Sequence, residues 1–376
     1  MKKSSLILLL VTGIFIFPYS AFGSQPGAKG APMQAAPDWQ TKWNQLVQEA
    51  KKEGKVVLYG EVGPVFKSKI SEAVKRKCGI EVDAVAGKAP EVANKFLTER
   101  AANLYLADIL ITGQTTTLAL LKPKKVLASP KPHLLLPEVL DSKAWPQGVL
   151  PFLDKDQLVL RLVAGFMTYV TINKELVKEG EITSYADLLQ PKWKGKITML
   201  DPAFPGNGGA WANFLMNALG REAGEKYLRQ LALQNPVITR DARMQGETVA
   251  RGKYAIGIGT TIQVAQDLAR AGAPIAWLRL KEGGSMLSGA FVAALPDKPA
   301  HPAAAAVMLN FLLSKEGQQI ASESIGLPPV RHDVPLAPGL EDSVPKPGDK
   351  VYWMDEELLL KESSFYPLSR EIFGLR

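Results

Sequence analysis

The sequence contains a single cysteine, Cys78, so no internal disulfide and no thiolate cluster for zinc or an iron–sulfur centre can form within the chain. It also has only three histidines, which are far apart along the chain (His133, His301 and His332). We therefore expect no metal centre and no other cofactor; carboxylates or tyrosines could still supply metal ligands, but nothing in the composition requires a metal. Intrinsic disorder is excluded for the bulk of the chain, because 46% of its 376 residues are apolar.

The usual signatures of a hydrolytic enzyme are missing as well. There is no Gly-x-Ser-x-Gly motif, no His-Glu-x-x-His motif and no plausible Cys–His pair. We therefore expect no catalysis. An exported enzyme, in which Glu61 and Asp201 would act as acid and base, is kept as a hypothesis of a different class.

The basic residues are not grouped. Lysines and arginines exceed acids by eight, but they are spread along the chain and form no basic run with aromatic residues. Nucleic-acid binding, which needs a clustered basic face, is therefore not expected. The excess of positive charge is typical of a solvated surface and weakly favours anionic ligands.

The first residues predict an export signal. Lys2 and Lys3 precede an apolar stretch of 12 residues (6–17), and the small residues Ala21 and Gly23 then form a cleavage site. Twelve residues span about 18 Å as a helix, which is too short for a hydrocarbon core of about 30 Å. We expect cleavage near Gly23, which lowers the net charge from +8 to +6, and a soluble periplasmic protein; an uncleaved anchor is the alternative.

Beyond a Pro-, Gly- and Ala-rich leader, strand and helix patterns alternate in two successive α/β units. Short apolar runs predict strands, separated by amphipathic helices, at 55–60, 80–85, 107–112, 166–173, 196–202, 254–259, 274–280 and 289–296. Ser184 and Asp187 have the spacing of a capping box. Six prolines between 328 and 347 exclude a sheet interior there, and one or two short helices are expected at 353–369.

Ligands of open parallel sheets bind beyond the carboxyl ends of the strands, and this rule selects the candidate loops. In the first unit, Glu61 follows one predicted strand, and Gln114 and Thr115 follow another at the start of a helix. The amide and hydroxyl groups of the second loop could bind a solute. Simple N-capping by a threonine is the alternative explanation.

The second unit offers a glycine-rich helix start. Asn207, Gly208 and Gly209 would let the backbone approach a ligand closely, and the free N–H groups of a helix start favour an anion. A plain glycine-rich helix start explains the same residues. Thr261 precedes another helix, and Arg240 or Arg243 could bind a carboxylate or phosphate unless it forms only a surface ion pair.

From about residue 43 to residue 334, the chain resembles the periplasmic solute-binding proteins of bacterial ABC importers, in the branch of the ferric-ion-binding-like proteins. The similarity is carried by the segments AKKEGKVVLYG (50–60), LTERAANLYLADILITGQTTTLALL (97–121), TSYADLLQPKWKGKITMLDP (183–202), YAIGIGTT (254–261) and AAAVMLNFLLSKEGQQ (304–319). These segments are specific for the superfamily but not for one ligand.

The resemblance implies an α/β fold with two hinged lobes, each a mixed, mostly parallel sheet flanked by helices, and a ligand in the cleft between them. We expect the chain to cross between lobes near 160–166 and 281–288. The expected organisation is a signal peptide (1–23), a leader (24–37), lobe 1 (38–162, completed by 284–322) and lobe 2 (163–283, completed by 323–376).

Iron-binding members of this branch hold ferric ion with a tandem tyrosine pair, a histidine and a glutamate. The resemblance places the tyrosine pair at Thr261-Ile262, the glutamate at Gly113 and the histidine around Gly63, so this donor set is missing. Gln114 and the helix start at Asn207 match positions that hold an anion in the branch. We therefore expect a phosphonate, sugar phosphate or carboxylate as the solute; ferric iron, free or held by a chelator, is the alternative.

The expected partners are this anionic solute and a membrane permease, and we expect the protein to be a monomer. From lobe 1, Glu61, Gln114 and Thr115 would contact the solute. From lobe 2 the contacts would come from Asn207, Gly208, Gly209, Arg243 and Thr261. A sensor module that presents its ligand to a receptor is a further alternative.

Overall fold

The computed structural model describes residues 37–375, in which two β-sheets are flanked by helices. The predicted signal peptide and nearly all of the predicted leader lie outside the described residues. The strands are β1 (Lys55–Gly60), β2 (Glu81–Ala86), β3 (Ile109–Thr112), β4 (Leu127–Ala128), β5 (Val159–Met167), β6 (Val170–Asn173), β7 (Ile197–Leu200), β8 (Val237–Thr239), β9 (Ile256–Ile258), β10 (Ile275–Leu278), β11 (Gly284–Pro296) and β12 (Val351–Trp353).

Most helices occupy the segments between strands, as the alternating pattern predicts. They are α1 (Trp39–Glu53), α2 (Pro64–Cys78), α3 (Ala89–Ala101), α4 (Gln114–Thr116), α5 (Pro137–Leu140), α6 (Asn207–Leu219), α7 (Arg221–Ala232), α8 (Ala242–Ala250), α9 (Ile262–Arg270), α10 (Pro302–Leu313), α11 (Lys315–Ile325), α12 (Glu356–Lys361) and α13 (Tyr366–Phe373). No helix among residues 37–375 is long and apolar enough to span a bilayer.

Sheet 1 has the strand order β12-β11-β3-β1-β2, and β4 and β5 also pair with β11. Strand β1 runs parallel to both β2 and β3, whereas β11 is antiparallel to β3 and β5. Sheet 2 has the order β10-β6-β9-β7-β8, in which β7 is parallel to β8 and β9. Both sheets are therefore mixed, and the predicted α/β class is confirmed.

We call sheet 1 without its edge strand β12, together with its helices, lobe 1 (residues 37–167 and 284–334), and sheet 2 with its helices lobe 2 (residues 170–280). Each lobe has its own apolar core, as the two buried clusters around the sheets show. In lobe 1, α10 packs on α1 and α11 packs on α2. Two separate cores allow the lobes to move as units about the segments that join them.

The chain passes between the sheets at Thr168 and Tyr169, because β5 pairs only in sheet 1 and β6 only in sheet 2. The sequence pattern predicts one continuous strand over 166–173, but Tyr169 has a φ of +63°, which interrupts it. The Tyr169 hydroxyl is hydrogen-bonded to the hydroxyl of Ser285, at the start of β11. The two crossings are thus joined to each other.

The capping box at Ser184 and the proline-rich segment before residue 350 are both predicted from local sequence. The capping box is confirmed, since the Ser184 and Asp187 side chains each bond the other residue's backbone N–H. It begins a short 3₁₀ turn, Tyr185–Leu189, instead of an α-helix. The proline-rich segment runs without a strand over 330–350, and Pro329 forms an isolated bridge to Val163 in lobe 1.

Gly60 ends β1 directly before the first candidate loop. A Cβ at this position would overlap the carbonyl oxygen of Ile111 in β3, and the residue has a φ of +159°. We predict that Gly60→Ala lowers the free energy of unfolding by about 3 kcal/mol, because the neighbouring strand cannot give way. Urea denaturation measures this change.

Gly63→Ala is the matched control, because a Cβ there meets nothing within 4 Å and the variant should unfold like the wild type. Equal stability of the Gly60 and Gly63 variants would contradict the close approach of β1 to β3.

Candidate functional site

The parallel strands of lobe 1 bring two of the candidate loops to one edge of sheet 1. In the pairing of β1 with β3, Gly60 lies opposite Ile111, and the N–H of Glu61 donates to the Ile111 carbonyl at 3.0 Å. Gln114 begins α4 two residues after β3 ends. Glu61 and Gln114 therefore lie on the same edge, as the strand-end rule predicts.

Gln114 is held at this edge by its neighbours. Thr112 and Thr117 form a hydroxyl–hydroxyl bond of 2.6 Å, which ties the end of β3 to the following turn. The Gln114 side chain is only 8% exposed, and its Oε1 atom is buried with no hydrogen-bond partner among the described residues. A buried acceptor without a donor is costly, so this amide is a group that a bound solute could satisfy.

Two other candidates of lobe 1 are more open. Thr115 is exposed and does not cap the helix; Gly113 is the N-cap of α4, with no side-chain capping bond. Glu61 is also exposed, although partial burial raises the pKa of its carboxyl. An ionised carboxylate at this edge would repel the anionic group of a solute and would attract a protonated amine on the same solute.

In lobe 2, the parallel pairing of β7 with β9 brings the other two loops together. The start of α6 approaches Gly259 so closely that a Cβ there would lie 3.5 Å from the Gly208 Cα. Thr261 is half-buried at the start of α9, beside Thr260, whose hydroxyl is bonded to Thr171 and Gln245. This network fixes the loop after β9.

The start of α6 combines glycines that are needed for packing with backbone N–H groups that could bind an anion. A Cβ on Gly208 would overlap the backbone of Asp201, and one on Gly209 would lie 2.7 Å from the Phe204 carbonyl oxygen. Packing within the protein therefore requires both glycines. The first backbone hydrogen bond of the helix is donated by the N–H of Ala210 to the carbonyl of Gly206. The N–H groups before Ala210 therefore have no partner within the helix.

Asn207 is the first residue of this helix and does not cap it, because Gly206 is the N-cap without a side-chain bond. Its Nδ2 atom is buried and has no hydrogen-bond partner among the described residues. It is therefore a donor without an acceptor, next to the positive end of a helix. Such a combination suits an anionic oxygen of a solute.

Both arginines are exposed and each forms an ion pair with a carboxylate, but their neighbours differ. Arg243 lies exposed in the first turn of α8, and its Nε donates to Glu247 at 2.8 Å, so it forms the surface ion pair that was the alternative explanation. Arg240 donates to Asp201 at 2.9 Å, and its guanidinium lies 4.4 Å from the centre of the Phe204 ring. Arg240 is thus the arginine next to the loop that begins α6.

A buried carboxyl beside the start of α6 was not predicted from the sequence. Glu362 belongs to the C-terminal part of the chain, is only 4% exposed, and lies 2.7 Å from where a Cβ of Gly209 would be. Burial raises the pKa of its carboxyl, which accepts a hydrogen bond of 2.7 Å from Tyr366. A distance of 153 residues along the chain left no local signal for this contact.

Among the described residues, the polar groups near the two edges are not arranged as a metal site. Within residues 37–375, no group of three or more His, Cys, Asp or Glu side chains is arranged to hold a metal ion. The groups available at the two edges are amides, hydroxyls, backbone N–H groups and a guanidinium, with Glu61 and Glu362 as carboxyls. They suit recognition of a small polar molecule by hydrogen bonds.

Known proteins resemble this chain in sequence and in fold. A periplasmic protein of Salmonella typhimurium assigned to 2-aminoethylphosphonate binding is 26% identical over 266 residues, which cover 70% of this chain and 73% of that protein. The iron-bound HitA of Pseudomonas aeruginosa has a similar fold, with a TM-score of 0.63 and 20% identity over 85% of this chain and 99% of that chain.

A second solved structure of similar fold is AfuA of Actinobacillus pleuropneumoniae with bound fructose 6-phosphate. It gives a TM-score of 0.62 and 18% identity, and the match covers 86% of this chain and 97% of that chain. The model of the family described as bacterial extracellular solute-binding protein matches residues 69–348, which is more than half of the chain. The chain therefore belongs to the bacterial extracellular solute-binding proteins, the solute-binding components of ABC transporters.

Proposed function

We propose that the protein captures a small organic anion (a phosphonate, sugar phosphate or carboxylate) between the two sheet edges and delivers it to a membrane permease. The observation that carries this proposal is the pair of buried amide atoms without partners, Gln114 Oε1 on lobe 1 and Asn207 Nδ2 on lobe 2. A solute that bridges the edges would satisfy both and would remove the cost of leaving them unpaired.

The proposed contacts come from both lobes. Lobe 1 contributes Glu61, Gln114 and Thr115, and lobe 2 contributes Asn207, Gly208, Gly209, Thr261 and an arginine; Arg243 is the arginine expected from the sequence, and Arg240 is the one beside the α6 loop. The 2-aminoethylphosphonate assignment of the Salmonella relative and the sugar phosphate bound to AfuA support an anionic solute. The acidic groups Glu61 and Glu362 support a solute that also carries a protonated amine.

Closure of the lobes would follow from differential affinity. A solute that touches both edges binds the closed form better, and only this difference shifts the population. Changing a mostly open population into a mostly closed one needs about 5.5 kcal/mol. A few charge-assisted hydrogen bonds of about 1.5–3 kcal/mol each would supply that difference.

We also propose a periplasmic location after cleavage near Gly23, and a monomeric state. The periplasmic location is supported by the Salmonella relative, which is a periplasmic protein. The monomeric state stays a prediction from the sequence, and so does the sequence-based division into lobes (38–162 with 284–322, and 163–283 with 323–376), which differs from the division by sheets used above.

The solute class is tested by thermal shift and titration calorimetry with 2-aminoethylphosphonate, ethylphosphonate, fructose 6-phosphate, citrate, ferric citrate and ferric ion. We expect organic anions to bind and to raise the melting temperature, since a ligand at 100 times its Kd stabilises the native state by about 2.7 kcal/mol. Tight binding of ferric ion or ferric citrate, with no response to the iron-free anions, would establish the iron alternative instead.

Asn207→Asp tests the start of α6. A carboxylate in the first turn is favourable for the helix itself but repels a bound anion, so we expect about tenfold weaker binding or more with an unchanged melting temperature of the empty protein. Asn94→Asp makes the same change of charge at an exposed position of α3 and should leave the affinity unaltered. Equal affinities of the two variants would remove Asn207 from the site.

The arginines form a natural pair for comparison. Arg240→Met and Arg243→Met remove the same charge three residues apart, but only Arg240 lies beside the α6 loop. We expect the Arg240 variant to weaken solute binding by about tenfold and the Arg243 variant to bind within about twofold of the wild type. Calorimetric titrations of both variants measure this, and the reverse order would return the role to Arg243.

A further inference from the structure

The last part of the chain is in contact with both lobes. We call residues 351–373 the C-terminal segment. It begins with β12, which pairs in parallel with the first three residues of β11, so that Ser285 lies opposite Tyr352. The segment therefore starts at the crossing between the lobes and continues through α12 and α13.

On lobe 1, Glu356 at the start of α12 holds the segment in place. Its carboxylate forms an ion pair of 2.6 Å with Lys122 and accepts the backbone N–H of Lys155 at 3.3 Å. Lys122 also pairs with Asp154 and Asp156, each at 2.8 Å. Because the Lys122 and Glu356 side chains are only 13% and 16% exposed, solvent screens this contact less than an ordinary surface pair.

Apolar side chains strengthen the same contact. Met354 and Leu359 of the segment are buried in one cluster with Leu118 and Leu121 of lobe 1. Burial of a side chain of this size contributes about 1.5–3 kcal/mol, so α12 is firmly attached to lobe 1.

Lobe 2 holds the segment at several points. The Asn213 side chain of α6 donates to the Leu358 carbonyl of α12 at 2.9 Å, and Glu362 lies against Gly209 of the same helix. Beyond Glu362, apolar residues of α13 pack on the core of lobe 2: Leu368, Ile372 and Phe373. The segment is thus attached to lobe 2 along α6 and α7.

The contact with Lys122 on lobe 1 and the contact with Asn213 on lobe 2 both involve helical segments that begin at the candidate site. Lys122 begins the last turn (Lys122–Lys124) of the helical run that starts with Gln114, and Asn213 belongs to the helix that starts with Asn207. We propose that the C-terminal segment is an interlobe strap, a third link beside the two crossings, which limits how far the lobes separate. Glu356 is then a positioning residue: it contacts no solute but determines the distance between the two halves of the site.

The first test measures lobe separation and needs no solute. Nitroxide labels on cysteines introduced at the exposed Glu72 of lobe 1 and Leu233 of lobe 2 report the interlobe distance by pulsed electron paramagnetic resonance. The native Cys78 is only 4% exposed, so it should not take the label. In the ligand-free protein, Glu356→Lys, which Lys122 repels, should lengthen or broaden the distance distribution.

Glu323→Lys is the matched control, because Glu323 pairs with Lys69 at 2.8 Å within lobe 1. It should leave the distance distribution unchanged. Asn213→Ala releases the segment from the other lobe without a change of charge and should act in the same direction as Glu356→Lys. Circular dichroism verifies that each variant is folded. Distributions that coincide with the wild type in both strap variants would overturn the proposal.

The second test rests on the proposed function, because it uses a bound solute. With the anion that the wild type binds most tightly, Glu356→Lys should weaken binding by about fivefold to tenfold, mainly through faster release. The control variant Glu323→Lys should bind as the wild type does. If the wild-type protein binds none of the anions, the proposed function fails, and the distance measurement still tests the strap. If the Glu356 variant shows wider lobe separation but unchanged affinity, the positioning role of Glu356 is overturned.

Discussion

The arrangement of the site depends on the parallel pairing of adjacent strands within each sheet. Because β1 is parallel to β3, and β7 is parallel to β9, the polar loops that follow these strands must emerge at the same edge of their sheet. At Gly60 and at Gly208 a Cβ would overlap the neighbouring backbone, so the backbone segments lie very close together at both edges. The backbone therefore positions the binding groups before any side chain interacts with a solute.

Each of the two edges has a neutral amide with a buried atom that lacks a hydrogen-bond partner within the described part of the chain: Gln114 on lobe 1 and Asn207 on lobe 2. Gln114 and Asn207 can remain buried without a counter-ion, whereas a buried ionised group would need one. The nearby charged groups already have partners inside the protein: Arg240 forms an ion pair with Asp201, and the Glu362 carboxyl, whose pKa burial raises, accepts a hydrogen bond from Tyr366. For the proposed anionic solute, Asn207 and the start of α6 would supply hydrogen-bond donors while the Arg240–Asp201 ion pair stays intact.

Sequence reasoning was most reliable where the determining interactions are local. Strand and helix patterns, the Ser184 capping box and the loops after the strands follow from periodicity and short-range hydrogen bonds, and the structure has them. The position of Arg240 beside the α6 loop depends on strand register, since Arg240 and Asp201 directly follow the last paired residues of β8 and β7 and are hydrogen-bonded to each other. Glu362 could not be predicted at all, because its contact with Gly209 depends on how the last helices fold back.

That return of the chain changes how opening and closing must be described. Two crossings joined by the Tyr169–Ser285 hydrogen bond would allow a simple hinge, with the separation of the lobes determined by the solute alone. The C-terminal segment adds contacts on Lys122 and Asn213, far from the crossings along the chain but on the helices that carry the site. A link that restricts the open state reduces the entropy lost on closure, so less of the binding free energy is spent on bringing the lobes together. With the proposed strap, affinity would depend on the groups that touch the solute and, separately, on the groups that hold the lobes near each other.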